Sequence, residues 1–242
     1  MAPFTQRMNL AWRPALGFFE RRYEVLRTLE DDGLLRSFQV RENRISVRLG
    51  DPLHVLVFGP ESAEVMLLGP DGEFERLMSA LETVLRTIRP AGSTRIVIGA
   101  QWLERLEIPY KDARHAAASR ILGEDGDITD RDFALLTSGE LSEPRVAFDL
   151  EIGVVEAAEI PQRLARQAGR IGKVAPEVPP SLWPTESLPD VALFADSTWR
   201  PESPINEPTL DEIRSTWDAT VMAATLTISN VFERFRPRGE PT

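Results

Sequence analysis

The residues with the best spacing for chemistry are two carboxylates, Asp149 and Glu151, which alternate with apolar residues. This alternation predicts a strand, and residues two apart on a strand share a face, with side chains about 7 Å apart. Asp190 and Asp196 lie on or beside another predicted strand. If the four carboxylates converge, they would hold Mg²⁺ or Mn²⁺ for phosphoryl chemistry. The alternative is that Asp149 and Glu151 line the solvent face of an antiparallel strand.

Other catalytic signatures are absent from the sequence. The chain has no cysteine and two histidines, His54 and His115, so it offers no thiolate and no three-histidine zinc site. His54 is expected on the exposed or partner-facing side of a strand, and His115 in an alanine-rich helix. There is no G-x-S-x-G elbow and no phosphate loop. The sequence therefore favours a protein that is not an enzyme, and it predicts no cofactor.

The composition is that of an acidic globular chain. Its 242 residues include 28 Lys and Arg against 38 Asp and Glu, which gives a formal net charge of −10. A negative balance argues against general nucleic-acid binding, which needs clustered positive charge. No apolar run approaches the roughly 20 residues that cross a bilayer, and the first residues lack the apolar core of a secretory signal. We therefore expect a cytoplasmic protein with no nucleic-acid or membrane partner.

Periodicity predicts a first α+β half over residues 15–122, after an N-terminal arm at residues 1–14. Alternating apolar residues separated by short turns predict four antiparallel strands between residues 38 and 67. A broad apolar stripe over residues 72–88 predicts an amphipathic helix that lies on this sheet. Before the strands, a helix is predicted over residues 15–30. Its apolar positions, at steps of three and four, are Leu16, Phe19, Tyr23, Leu26 and Leu29.

The second half, residues 123–242, repeats this order. A strand at residues 146–152 is followed by a proline-rich segment at 175–189, a strand at 191–195 and a long C-terminal helix at 209–235. The predicted fold class is therefore α+β, with an antiparallel sheet or sheets covered by amphipathic helices. Its two halves are expected to be similar, and the second ends in the long helix.

The C-terminal helix has a predicted capping box at Thr209 and Glu212. Residues 219–232 carry no charge, and a helix that is apolar nearly all round is expected to be buried on several sides. It is either the central helix of the fold or a helix shared with a neighbouring subunit. Together with the apolar N-terminal arm it supplies the candidate interaction residues, which are Phe4, Trp12, Trp217, Met222 and Leu226.

Three stretches of the chain carry a family resemblance: the strand at residues 188–196 with the proline-containing gap after it, the helix at 210–235, and residues 95–105. In these stretches the chain resembles a sporadically distributed, poorly characterised bacterial protein family. The resemblance implies an α+β fold and no established activity, so it assigns no catalytic residue. A bacterial origin is also suggested by the basic residues, of which only Lys111 and Lys173 are lysine.

Three functions remain open. We rank first a non-enzymatic protein-interaction or scaffold subunit of a bacterial cytoplasmic assembly, whose partner is another protein or a second copy of the chain. The first alternative is a small-molecule binding domain with a pocket between the sheet and the C-terminal helix, lined by Phe148, Trp199 and Trp217. The second alternative is a metal-dependent enzyme that uses the four carboxylates named above.

Overall fold

One antiparallel sheet and five helices make up the chain in the computed structural model, which describes residues 2–50, 54–68, 74–122, 134–166, 188–206 and 208–236. The predicted α+β class is confirmed. Apart from its last two residues, the proline-rich segment predicted at 175–189 lies outside the described residues. The elements are β1 Thr5–Ala11, α1 Gly17–Asp31, β2 Leu35–Arg41, β3 Arg44–Leu49, β4 His54–Phe58, β5 Ser62–Leu68, α2 Phe74–Ile88, β6 Ser93–Arg105, α3 Tyr110–Leu122, β7 Ala134–Ser142, β8 Arg145–Glu156, α4 Ile160–Arg166, β9 Val191–Pro201, β10 Ile205–Asn206 and α5 Leu210–Phe235.

The ten strands form a single sheet with the order β2-β3-β4-β5-β1-β6-β9-β8-β7, and β10 pairs with the start of β6. The predicted meander between residues 38 and 67 is confirmed as β2 to β5. The neighbouring strands β1 and β6 are each followed along the chain by a helix, a run of antiparallel strands and a further long helix. The division of the chain into halves at residue 122 stays a prediction.

Residues 5–11, which were expected to belong to an arm, form the strand β1 in the middle of the sheet. This strand pairs with β5 on one side and with β6 on the other. Met8 and Leu10 belong to the main hydrophobic core, while Thr5 and Arg7 on the other face are each 1% exposed. Because both faces of β1 are buried, its sequence lacks the simple apolar and polar alternation of a half-exposed strand.

The two faces of the sheet are packed differently. Helices α1, α2, α3 and α5 lie on one face, which we call the helix-covered face, and enclose the larger hydrophobic core. The opposite face, which we call the second face, carries a smaller apolar cluster that includes residues of α4. The members of this cluster are Val55, Val57, Met66, Val155, Ile160, Leu164, Ala192 and Phe194. The second face is therefore buried around its centre as well.

The C-terminal helix α5 has the predicted bounds and the predicted N-terminal cap. The Thr209 hydroxyl accepts a hydrogen bond from the Glu212 amide at 3.2 Å, and the Glu212 carboxylate accepts one from the Thr209 amide at 3.3 Å. Two of the amides that a helix leaves unpaired at its start are satisfied in this way.

The inner and outer sides of α5 differ in burial. Trp217, Ala224 and Ile228 on the inner side are at most 3% exposed, whereas Met222 and Leu226 on the outer side are 64% and 61% exposed. Within a single chain α5 is thus buried on one side only, which corrects the prediction of burial on several sides. The described helices include none that is long and apolar enough to cross a membrane.

Candidate functional site

A group of buried polar side chains lies at the centre of the second face. We call it the polar cluster, and it consists of Thr5, Arg7, Glu64, Gln101 and Asp196, each at most 5% exposed. Moving a charged group from water into a protein interior costs free energy unless opposite charges and hydrogen bonds compensate it. Buried ionisable groups of this kind concentrate at functional sites, so the polar cluster is a candidate site.

Strand register brings the polar cluster together, because residues opposite each other on neighbouring strands share a face. Thr5 on β1 is opposite Gln101 on β6, and Gln101 is opposite Asp196 on β9. The Thr5 hydroxyl donates a hydrogen bond to Gln101 Oε1 at 2.8 Å, and Gln101 Nε2 donates to Asp196 Oδ2 at 3.4 Å. Gln101 Nε2 also donates to the backbone carbonyl of Arg163 at 3.2 Å, which connects the cluster to α4.

Arg7 is the positive charge of the polar cluster. Burial lowers its pKa, and the carboxylates of Glu64 and Asp196 oppose that change by stabilising the guanidinium. Within the described chain, Nε and Nη1 of Arg7 have no hydrogen-bond partner. Because a guanidinium stays protonated in proteins, Arg7 is a fixed positive charge with spare donors.

Glu64 is the group whose protonation responds to pH near neutrality. Burial raises the pKa of the Glu64 carboxyl from 4.5 to about 7, and the charge of Arg7 counteracts the rise. Its Oε1 atom is buried and accepts no hydrogen bond from the residues that the structure describes. Loss of hydration therefore has a larger effect on this carboxyl than attraction to the neighbouring guanidinium.

Three of the four carboxylates considered for catalysis and metal binding lie together on the second face. Glu151 on β8 is opposite Asp196 on β9, and Asp149 is opposite Thr198 on the same pair of strands. Asp190 is not part of this group, because it precedes β9 and is exposed to solvent. Its backbone carbonyl accepts a hydrogen bond from the Ala157 amide at 2.9 Å.

Arginines and a serine surround the carboxylates on β8. The Asp149 carboxylate accepts hydrogen bonds from Ser138 Oγ at 2.7 Å and from Arg200 Nη1 at 2.6 Å. Glu151 accepts one from Arg163 Nη1 at 2.7 Å. Among the described residues, no group of three or more His, Asp or Glu side chains is arranged to hold a metal ion. The carboxylates on β8 thus form ion pairs with arginine.

Two clefts adjoin the polar cluster. The first, which we call the Asp149 cleft, has a volume of about 410 Å³ and includes Asp149, Glu151, Asp196 and Arg200 in its lining. The second, which we call the Glu64 cleft, has a volume of about 480 Å³. Its lining consists of Asn9, Pro14, Phe19, Asn43, Arg44, Val57, Phe58, Gly59, Pro60, Glu61, Ser62 and Glu64. Both volumes lie in the range of small-molecule sites.

The structure separates the five candidate interaction residues into two groups. Trp12 is 7% exposed and donates from Nε1 to the Pro60 carbonyl at 3.0 Å, and Trp217 is 3% exposed. Phe4 is partly buried against the apolar cluster of the second face. These three side chains belong to the packed interior of the single chain, whereas Met222 and Leu226 point to solvent from the outer side of α5.

The three aromatic residues expected to line a ligand pocket pack against other side chains. Trp199 is fully buried and stacks on Phe148, with ring centres 4.7 Å apart. Trp217 contacts Phe74 of α2, with ring centres 5.6 Å apart. Both tryptophans belong to the hydrophobic core on the side of the sheet that α5 covers, and the ligand-binding hypothesis stays a prediction.

Sequence reasoning singled out Asp196 but not Arg7, Glu64 or Gln101. The available signal was a charged residue inside an otherwise apolar strand, as Glu64 is within β5. His54, which was expected on an exposed or partner-facing side of its strand, is fully buried within the chain, whereas His115 lies in α3 as expected.

The described chain thus offers two separate functional candidates, which are the polar cluster with its two clefts and the apolar outer side of α5. The first is built by strand register at the centre of the sheet. The second is built by a helix that ends the described chain. Comparisons with models of known protein families and with curated proteins give no match to this chain.

Proposed function

We propose that this chain is a non-enzymatic protein-interaction subunit, that it associates through the outer side of α5, and that its partner is a second copy of the same chain. The observation that carries the proposal is the exposure of Met222 and Leu226, at 64% and 61%, in the middle of a helix segment without charge. Apolar side chains exposed side by side at the centre of a helix face are typical of interaction surfaces.

Seven of the nine exposed positions of α5 follow a helical period and form one stripe along its outer side. The stripe consists of Asp211, Ser215, Asp218, Met222, Leu226, Asn230 and Glu233. Its two apolar members lie in the middle, and its charged members lie towards the ends. This arrangement of an apolar centre with a polar rim is that of a protein interface.

The stripes of two copies of the chain are also complementary when their α5 helices pack antiparallel. Around a two-fold axis beside Ala224, residues equally far from that position in the sequence face each other, so Met222 of one copy would face Leu226 of the other. Asp218 would face Asn230, and Ser215 would face Glu233. No like charges oppose each other in this arrangement, and the two helix dipoles run in opposite directions.

The size of the stripe favours a weak dimer. A helix of 26 residues is about 39 Å long and about 10 Å wide, which allows each copy to bury roughly 400 Å² in a helix-to-helix contact. Stable interfaces bury about 800 Å² per partner. We therefore expect a dimer that dissociates on dilution through the micromolar range.

The proposal includes a bacterial cytoplasmic setting. The near absence of lysine among the 28 basic residues supports a bacterial origin, and the absence of cysteine is compatible with a reducing compartment. Both points rest on the composition of the chain.

Sedimentation velocity over a series of protein concentrations tests the proposal. Leu226→Glu and Met222→Lys should each shift the chain to monomer, because a charge would be buried in the apolar centre. A mixture of the two variants should form a heterodimer, since the lysine introduced in one copy then faces the glutamate introduced in the other. Leu16→Glu is the matched control, because Leu16 is 80% exposed on another helix.

Two results would overturn the proposal. One is a wild-type chain that stays monomeric at all concentrations. The other is a dimer that Leu16→Glu weakens as much as Leu226→Glu does.

A further inference from the structure

The Glu64 cleft has the size and lining of a small-molecule site, and none of its lining residues belongs to α5. It opens beside the turn between β4 and β5 and has a volume of about 480 Å³. Clefts of this size bury most of the surface of a small organic ligand. All of the residues that line it belong to the described chain.

One polar group in this cleft is left unsatisfied. The Glu64 side chain lines the cleft and the residue is only 5% exposed, yet its Oε1 atom accepts no hydrogen bond from the described residues. A buried acceptor without a donor is unfavourable, and buried acceptors in folded proteins nearly always have one. A ligand that brings N–H donors to the Glu64 carboxylate from the cleft would offset this cost.

The charges around Glu64 favour a positive ligand. Arg7 carries one positive charge, whereas Glu64 and Asp196 carry two negative charges when both are ionised. Arg44 and Glu61, which also line the cleft, have opposite charges. One monovalent cation at Glu64 would therefore neutralise the polar cluster.

The rest of the lining suits an apolar, flat body. Phe19 is 49% exposed and its ring is held edge-on to Phe18, with ring centres 5.2 Å apart. Pro14, Pro60 and Val57 supply further apolar surface. An exposed aromatic face near a carboxylate binds aromatic cations through both stacking and charge.

We propose that the Glu64 cleft binds a small aromatic cation, of the amidinium or arylamine class, whose N–H groups donate to the Glu64 carboxylate and whose ring packs on Phe19. Arg7 is not a ligand-contacting residue in this proposal. From the neighbouring strand β1 its charge lowers the pKa of the Glu64 carboxyl and so opposes the effect of burial. The site is separate from the proposed dimer surface, so either proposal can fail without the other.

Isothermal titration of the purified full-length chain with benzamidine tests the proposal, with benzamide as the uncharged probe of similar shape. We expect benzamidine to bind and benzamide to bind at least about tenfold more weakly, since a hydrogen bond to a charged group is lost. Glu64→Gln should weaken benzamidine binding by a similar factor. Phe19→Ala should weaken it severalfold, and this surface residue can be replaced without opening the core.

Asp149→Asn is the matched control, because it removes a carboxylate from the other cleft of the same face. It should leave the affinity for benzamidine unchanged. Backbone amide shifts in the NMR spectrum should be confined to the cleft, including Asn9, Asn43 and Ser62, and this readout needs no variant.

Three results would each overturn the proposal. These are the absence of benzamidine binding to the wild-type chain, equal affinity for benzamide, and amide shifts that map to the Asp149 cleft instead. If Glu64→Gln does not fold, loss of affinity in Phe19→Ala and the shift map decide the outcome.

Discussion

The Arg163 side chain on α4 donates a 2.7 Å hydrogen bond to the Glu151 carboxylate on β8, and the two side chains are only 14% and 12% exposed. This ion pair joins the short helix α4 to the second face of the sheet. The Arg163 backbone carbonyl also accepts a hydrogen bond from Gln101, so Arg163 connects this pair to the polar cluster. The position of α4 therefore depends on polar contacts as well as on its apolar residues.

Separating the two partners of this pair should be costly. We expect Arg163→Met and Glu151→Gln each to lower the free energy of unfolding, because each removes an ion pair between two nearly buried side chains. Chemical denaturation of both variants and of the double variant should give a coupling energy of about 1–3 kcal/mol.

The Asp149 and Arg200 pair is the matched control, with side chains that are 54% and 47% exposed. Solvent weakens such a pair, so its coupling energy should stay below about 1 kcal/mol. Equal coupling energies for the two pairs would contradict the conclusion that a buried ion pair helps to hold α4 on the sheet.

Glu64 should make stability depend on pH in an unusual direction. Its pKa is about 7 in the folded chain and 4.5 is its ordinary value, so between these pH values the folded chain holds more protons than the unfolded chain. The contribution of Glu64 to stability is therefore fully present below pH 4.5 and is lost as the pH rises towards 7. Glu64→Gln removes this dependence.

As the pH rises from 4.5 to about 7, the unfolding free energy of wild type should fall relative to that of Glu64→Gln. The expected fall is up to about 3 kcal/mol. Urea unfolding at several pH values measures it. A difference that stays constant from acid to neutral pH would show that the carboxyl titrates normally. Asp149→Asn serves as the comparison, since it replaces a carboxylate that is half exposed.

Gly17 should tolerate no side chain. A Cβ atom at this position, the start of α1, would lie 2.8 Å from the backbone carbonyl oxygen of Ile88 at the end of α2. Gly17→Ala should therefore separate the two helices and lower stability by about 1–3 kcal/mol. Thermal unfolding measures the loss. Glu20→Ala, an exposed replacement on the same helix, should change stability by less than about 0.5 kcal/mol.

Local sequence patterns predicted the elements that bury one side and expose the other, and those defined by contacts between residues close in the sequence. The stripe of α2 is buried as expected, including Leu77, Leu81 and Val84, because one side of this helix faces the core and the other faces solvent. The cap of α5 was also predictable, since Thr209 and Glu212 interact within four residues of chain. The meander β2 to β5 followed from short turns between alternating segments.

Elements with two candidate apolar sides were harder to predict. In α1 the structure buries Phe18 and Val25 with Leu26 and Leu29, but leaves Leu16, Phe19 and Tyr23 exposed. Both sets recur at helical spacing, and only the tertiary contact with α2 selects between them. The strand β7 was missed altogether, because most of its residues are exposed and its edge position imposes little pattern.

The polar cluster could not be predicted from the sequence, because its members come from four strands that are far apart along the chain. Arg7, Glu64 and Asp196 become neighbours only through the order β5-β1-β6-β9. Nothing local to Arg7 indicates that a buried carboxylate lies on each side of it. For the carboxylates on β8, alternation along the strand correctly predicted that Asp149 and Glu151 lie on one face.

The central position of β1 constrains the order in which the chain can fold during synthesis. Thr5 to Ala11 leave the ribosome before their partners on β6, which follow only after α2 has been made. Closing the middle of the sheet thus requires a contact between distant parts of the chain, which slows folding. A chain that stops after α2 would present one side of β1 as an open sheet edge, with its backbone amides free to pair with other chains. Such a fragment is expected to aggregate, whereas the chain extended through β6 covers that edge with its own backbone.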